Sequence, residues 1–392
     1  METVVIVDAL RTPIGSFMGS LNSFSATQLG THVVKSILNR TKISPDDVDE
    51  LIFGNVLSAG IGQAPARQVA IFSGLNPKTE CLTINKMCGS GLKAVMLAEQ
   101  SIKLSDAEII FAGGMESMSN APYLIEKIRS GIKMGNTQLI DSMIKDGLWD
   151  VYNDFHMGNA AELCAKECSI PRQAQDEFSI ESYKRAQAST KNGIFKNEIA
   201  PITIEKKKGE LILIDEDEEP FKTNFDKIPT LKPAFQKDGT VTAANSSKIN
   251  DGAAALLLMS ESKSKKLNLK PRAKIIASTS SAKKPEWFTT APIDAIEKVL
   301  LKANMKIEEI DLFEINEAFS VVTIAAENKL NISNEKVNIF GGAVALGHPI
   351  GASGARILVT LLNALEQKNK KFGLAAICIG GGEASAIIIE RL

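Results

Sequence analysis

The chain is 392 residues long, 44% apolar and 23% charged, with a formal net charge of −1. That length suits roughly two or three domains with real cores, while the balanced charge excludes both a global basic field for nucleic acid and an acidic tail. No apolar run is long enough to span a bilayer, and five scattered cysteines (Cys81, Cys88, Cys164, Cys168, Cys378) argue against a disulfide framework and for a reducing, cytoplasmic compartment.

Near the N-terminus, Val4-Val5-Ile6-Val7 reads as a strand rather than a secretory signal. A helix ending at Ile37-Leu38 and a strand entered through Val48-Asp49 follow, running from Glu50 to Gly54. Next comes Asn85-Lys86-Met87-Cys88-Gly89-Ser90-Gly91, and from Leu92 the apolar positions Val95, Met96 and Ile102 fall at helical spacing. Cys88 therefore sits at or just before a first helical turn, where partial positive charge and free N–H groups favour thiolate over thiol. A lone cysteine is as readily a buried structural residue, and local context leaves both readings open. The helix leads into a strand at Ile109–Gly114.

From about Ser119 to Ile249 the alternation of strand and helix breaks. The stretch holds polar turns, a short helix-like run around Ala160–Lys166 and a charged segment from Glu205 to Glu219. It reads as an inserted lid or loop domain, and Asp215-Glu216-Asp217-Glu218-Glu219 as a solvated turn. Cys164 and Cys168 lie four apart with Glu167 between them, but no fourth ligand is near, and the three histidines, His32, His156 and His348, are far apart. No metal is expected.

The second half repeats the first. Val299-Leu300-Leu301 and Ile310-Asp311-Leu312 match the helix and the aliphatic-Asp strand entry around Asp49, at an offset of 262 residues, and Ser353-Gly354 matches Ser90-Gly91 at 263. Ala375–Gly382 matches the glycine-ended strand Ile109–Gly114. Two landmarks at nearly one offset, in one order, argue for a duplicated α/β unit with parallel strands covered on both faces. The expected organisation is an N-terminal half of residues 1–118 with 250–270, a loop domain of 119–249, and a C-terminal half of 271–392.

In that frame His348, inside Gly347-His348-Pro349-Ile350-Gly351, occupies the duplicate of the Cys88 loop and is placed to face it as a base. The glycines there do not fit a dinucleotide fingerprint. Cys378 ends an apolar strand at Gly380-Gly381-Gly382, where backbone approaches a ligand without obstruction; buried structural cysteine is the competing reading. Asn316-Glu317 ends another strand on the same face, a polar pair able to hold a water or assist an oxyanion, or else a turn cap.

Together Asn-Lys-Met-Cys-Gly-Ser-Gly, Asn-Glu-Ala-Phe, Gly-His-Pro-Ile-Gly and Cys-Ile-Gly-Gly-Gly resemble the thiolase family, and the likeness runs from Arg11-Thr12-Pro13-Ile14-Gly15 to the C-terminus. His156-Met157-Gly158 and Ile132-Lys133-Met134-Gly135 resemble its biosynthetic, acetyl-transferring branch. The resemblance implies two thiolase-fold halves layered α-β-α-β-α. It also implies a reversible Claisen condensation of two acetyl-CoA to acetoacetyl-CoA and CoA through an acetyl-cysteine, EC 2.3.1.9.

By the same resemblance Cys88 is the nucleophile, His348 its base and Cys378 the α-proton acceptor. Asn316 holds a water in one oxyanion hole, and the N–H groups of Cys88 and Gly380 form the other. Leu148, His156, Met157, Ala243, Ser247, Phe288, Ala318 and Phe319 then bind CoA or the acyl chain, Met157 limiting chain length. CoA thioesters are substrates, no cofactor is implied, and a homotetramer of paired dimers, with contacts around Tyr123–Ile140, is expected. The family usually has glycine at Ala244 and Lys248 and alanine at Ser246. Glu219 replaces a basic residue that helps with nucleotide phosphates, leaving Lys206, Lys207, Lys208, Lys222 and Lys227 nearby. Phe288 and Glu383 also depart from the commonest residues. The rival readings are a degradative 3-ketoacyl-CoA thiolase, a decarboxylating ketoacyl synthase (disfavoured by Asn316) and a non-catalytic acyl-CoA carrier on the same scaffold.

Overall fold

A computed structural model of the chain describes residues 2–205 and 209–392. Its nine main strands are β1 (Val4–Arg11), β2 (Glu50–Gly54), β3 (Glu80–Ile84), β4 (Ile109–Ser117), β5 (Asn250–Ser260), β6 (Ala273–Ala282), β7 (Leu312–Ile315), β8 (Phe372–Ile379) and β9 (Glu383–Arg391). They follow one path, β7-β8-β9-β6-β1-β5-β4-β2-β3, with Gly15–Ser16 paired to β5 off it. The halves of that path repeat each other. β2 runs parallel to β4, which is antiparallel to β5, which is antiparallel to β1. Likewise β7 runs parallel to β8, β8 antiparallel to β9, and β9 antiparallel to β6. The halves join where Val5 and Ile6 pair with Lys274 and Ala273.

The duplicated aspartates do the same work in each half. Asp49 accepts the N–H groups of Glu108 and Ile109 at 2.8 and 2.9 Å. Asp311 accepts those of Lys371 and Phe372, both at 2.9 Å. Each carboxylate thus satisfies orphan donors where the neighbouring parallel strand begins.

Three helix layers enclose the strands. The longer helices are α1 (Ala26–Thr41), α2 (Pro65–Ser73), α3 (Ser90–Leu104), α4 (Met157–Glu167), α5 (Arg172–Lys191), α6 (Ala291–Ala303), α7 (Ser320–Leu330) and α8 (Ile350–Gln367). α3 and α8 pack on each other and on strands of both halves, forming the middle layer around Leu92, Val95, Leu358 and Leu361. α1 and α2 cover the outer face of the first half with Leu29, Val33 and Val69, and α6 covers that of the second with Ile296 and Val299. Side chains of β1 alternate between layers, Val4 and Ile6 inward, Val5 and Val7 outward. This is the layered α-β-α-β-α architecture that the resemblance implied.

The crossing of α3 and α8 is unusually close because of the duplicated glycines. A Cβ on Gly91 would meet the backbone N of Ala355 at 2.7 Å, and one on Gly354 would overlap the backbone of Leu92. Each glycine admits the other helix.

Residues 118–249 separate β4 from β5, where the second half has only Gly380–Gly382 between β8 and β9. This stretch contains α5, a 20-residue helix the hydrophobic pattern did not reveal, because its buried stripe is largely polar: Gln175, Asp176, Ser179, Ser182, Tyr183, Ala186, Ser189 and Thr190. The acidic run is a solvated turn only at Asp215 and Glu216, which are exposed. Asp217 is buried and accepts from both Arg11 terminal nitrogens at 2.7 and 2.9 Å and from the N–H of Ile14 at 2.8 Å. Glu218 accepts from the N–H groups of Ser16 and Ser20. Buried Arg11 needs these partners, with Glu198 at 2.6 Å, because an unpaired interior charge is strongly unfavourable.

Candidate active site

Because α3 and α8 cross at their first turns, the loops that enter them meet. Cys88 and His348 line one cavity together with Gly380. On the Cys88 side, Met87 has φ +45°, a left-handed conformation rarely adopted by residues with side chains. The Ser90 hydroxyl holds that turn, accepting from the N–H of Lys86 at 2.8 Å and donating to the carbonyl of Met87 at 2.6 Å. The N–H groups of Cys88 itself and of Gly380 favour the Cys88 thiolate. Burial nevertheless pushes the thiol up to about 11. Desolvation outweighs the pull of the helix N-terminus toward thiolate, so the sulfur needs the base that the resemblance implies for it.

His348 is buried at 5% exposure. Its backbone N–H donates to Asn250 Oδ1 at 2.9 Å, and Asn250 in turn donates to the carbonyl of Gly15 at 2.9 Å. Gly347, with φ +111° and no room for a Cβ beside Asn250, gives the loop its turn. Nδ1 of His348 lies 2.6 Å from the Ser353 hydroxyl, which donates its only proton to the carbonyl of Pro349 at 2.9 Å. With the hydroxyl so oriented Nδ1 carries the ring hydrogen, and Nε2 has no partner among the described residues. Burial, with Arg356 adding to it, pushes the ring down to about 3, so the imidazole is neutral.

Cys378 ends β8 fully buried, packed in one cluster with Met157, Phe288, Ala318 and Phe319. Burial first, and negative charge on Cys88 second, push its thiol well above the usual range, while its own N–H and that of Ala318 oppose the shift. Asn316 follows β7, buried, with both amide atoms unpartnered among the described residues. Its neighbour does not share that role. Glu317 accepts from Ser182, Asn338 and the N–H of Val344 at 2.8, 2.9 and 3.0 Å, so it braces the loop rather than facing the cavity.

Of the expected binding residues, Leu148, His156, Met157 and Ser247 line the cavity, as do Phe288, Ala318 and Phe319. Ala243 lies exposed on the same loop as Ser247, outside the lining. Phe319 sits edge-on to Phe288 and Phe235, with ring centroids 6.3 and 6.0 Å away. Lys222 is held by Ser16 at 2.6 Å and Glu218 at 3.4 Å, and Lys227 is exposed. Lys206, Lys207 and Lys208 lie outside the described residues. Glu383 ion-pairs with Lys86, tying the glycine turn after Cys378 to the Cys88 loop.

The family models for the N-terminal and C-terminal domains of thiolase match residues 4–262 and 269–391. The chain belongs to the thiolase family. It is 52% identical to an acetyl-CoA acetyltransferase of Schizosaccharomyces pombe, covering 99% of each chain. It is 49% identical to a cytosolic acetyl-CoA acetyltransferase of Gibberella zeae over 100% of this chain and 99% of that one. Among solved structures it is similar to the Acat5 thiolase of Ascaris suum in complex with coenzyme A, 44% identical with a TM-score of 0.95, covering all of both chains.

Several residues of this thiolase's site escaped the sequence reading. Ser353 and Asn250 orient His348, and only Ser353 had a local signal, lying five residues along the same motif. Glu116 accepts from Asn55, Val56, Leu57 and Gly351 at 2.9 to 3.2 Å, joining the loop after β2 to the start of α8. Phe235 lines the cavity and stacks on His156 at 4.8 Å between centroids. An isolated aromatic in a polar loop was its sole mark.

Proposed function

We propose that this thiolase is an acetyl-CoA C-acetyltransferase that condenses two acetyl-CoA to acetoacetyl-CoA and CoA, and reverses that reaction. The observation that carries the reading is the meeting of Cys88 and His348 on one cavity, with His348 Nε2 free of any partner among the described residues, backed by a second buried thiol, Cys378. The acetyl-transferase names of its full-length relatives support the substrate.

The chemistry closes without a cofactor. Nε2 of His348 takes the Cys88 proton as sulfur attacks the thioester carbonyl. The N–H groups of Cys88 and Gly380, both residues of the cavity wall, receive the oxyanion. CoA leaves with the proton from the imidazolium, and Cys88 is acetylated. Cys378 then hands its proton to the same imidazole, and its thiolate, made strongly basic by burial, removes the α-proton of a second acetyl-CoA. The imidazolium and a water held on Asn316 receive the enolate oxygen. The carbanion attacks acetyl-Cys88, whose departing thiolate recovers the proton from His348.

Met157, Phe288 and Phe319 close the acyl end, which supports a short chain, and Leu148, His156, Ala243, Ser247 and Ala318 are assigned to the pantetheine side. In this reading residues 119–249 form a CoA-binding loop domain between the two halves. Exposed Tyr123, Ile128, Ile132, Met134 and Leu139 support the tetramer contact. A cytosolic location is supported by the named relative, and no helix among the described residues is long and apolar enough to cross a membrane. Thiolysis of acetoacetyl-CoA beside 3-ketohexanoyl-CoA tests the assignment. Fast turnover of the shorter substrate alone is expected, and comparable rates on both would place the chain with the degradative enzymes.

A further inference from the structure

The turn that departs most from the family pattern, Ala244-Asn245-Ser246-Ser247-Lys248, also walls the cavity: Ser246, Ser247, Lys248 and Ile249 all line it. A backbone that doubles back here has carbonyls no strand ladder reaches, and each needs a donor. The carbonyl of Thr242 accepts from the Ser246 hydroxyl at 2.7 Å, and that of Asn245 from the N–H of Ser320 at 2.9 Å. Lys248 takes two more, its Nζ donating to the carbonyl of Ala243 and, at 3.2 Å, to that of Ser246. The same nitrogen stands 5.8 Å from the centroid of the Tyr183 ring, and no carboxylate forms an ion pair with it among the described residues. Burial pushes the ammonium down to about 8, with the charge of Glu219 opposing. A lysine whose donors go to backbone rather than to a carboxylate is fixing the turn, not balancing a charge.

We propose that Lys248 is a positioning residue whose ammonium holds the Ala243–Ser247 turn in the shape that receives the pantetheine arm of the CoA substrate. The inference rests on the CoA-thioester reading above. A tetrahedral ammonium on a flexible stem reaches two carbonyls of one tight turn, which the planar fork of arginine does not match. The effect belongs to binding, because its bonds go to carbonyls of the turn and to none of Cys88, His348 or Cys378.

Lys248→Met keeps the stem and removes the donors. Its KM for acetoacetyl-CoA and for CoA is expected to rise about tenfold with kcat held within about twofold, the loss of charged hydrogen bonds setting the size. Acetylation of Cys88 by the N-acetylcysteamine thioester, which lacks most of the arm, is expected to stay at the wild-type rate. In Lys248→Ala, ammonium or ethylammonium chloride is expected to recover KM, and equal sodium chloride is not. Should Lys248→Met fail to fold by circular dichroism, the Lys248→Ala rescue decides the matter alone. A folded Lys248→Met with unchanged KM, an equal loss on the truncated thioester, or no rescue by either amine overturns the inference. A wild type that does not turn over acetoacetyl-CoA overturns the activity reading as well, so the two failures are distinguishable.

Discussion

At Cys88 two effects of opposite sign compete, and their sizes decide the outcome. A helix N-terminus contributes about 0.3–1 kcal/mol toward the thiolate, up to ~2 in good geometry, whereas the rise from 9.0 to about 11 reflects about 3 kcal/mol against it. The resting nucleophile is a thiol and requires its base. Alkylation of Cys88 by iodoacetamide should therefore climb steadily with pH from 6 to 9, roughly tenfold per unit, with no plateau; a plateau near neutrality would mean a resting thiolate–imidazolium pair. His348 remains neutral throughout that range, because its folded value of about 3 lies well below it. The Ser353 hydroxyl sets which nitrogen is bare, so Ser353→Ala is expected to lower kcat by about 10- to 100-fold with little change in KM. Unchanged kcat would show that another group fixes the tautomer. Cys88, His348 and Cys378 were legible because chemistry-bearing residues stood among glycines. Their partners were not, since Ser353, Asn250 and Glu116 act through geometry that only the folded chain creates.

At the scale of elements, Gly91 and Gly354 explain how distant loops reach one cavity. Their lack of Cβ lets α3 and α8 cross with backbone nearly touching backbone, and the loops ahead of both helices converge. Gly354→Ala pushes against the backbone of Leu92, where no side chain is free to move aside. It should cost about 1–3 kcal/mol in urea denaturation and lower kcat/KM by roughly tenfold or more as the loops separate. Wild-type stability in that variant would show that the crossing relaxes freely. The duplication itself was legible because Asp49 and Asp311, like Gly91 and Gly354, perform identical local tasks that few other residues perform. α5 was not legible, since periodicity was sought in apolar residues and its buried face carries hydroxyls and amides. The acidic run misled for a similar reason: Asp217 and Glu218 look like solvated charge until Arg11 and the N–H groups of Ile14, Ser16 and Ser20 are brought to them.

For the whole molecule, the duplicated halves supply complementary chemistry rather than the same chemistry twice. The first half brings a thiol to a helix entrance; the second brings an imidazole to the equivalent entrance and a second thiol to a strand end. The inserted stretch adds His156, Met157, Phe235 and Ser247 to the cavity wall, and it supplies Asp217 and Glu198 to the buried charge of Arg11. That division of labour between two sulfurs is the central claim, and Cys378→Ala incubated with acetyl-CoA tests it most directly. Mass spectrometry of the digested protein should find one acetyl group per chain on the Cys88 peptide, trapped, with no acetoacetyl-CoA formed. Acetoacetyl-CoA produced by this variant, or an acetyl group on any other peptide, would contradict the account.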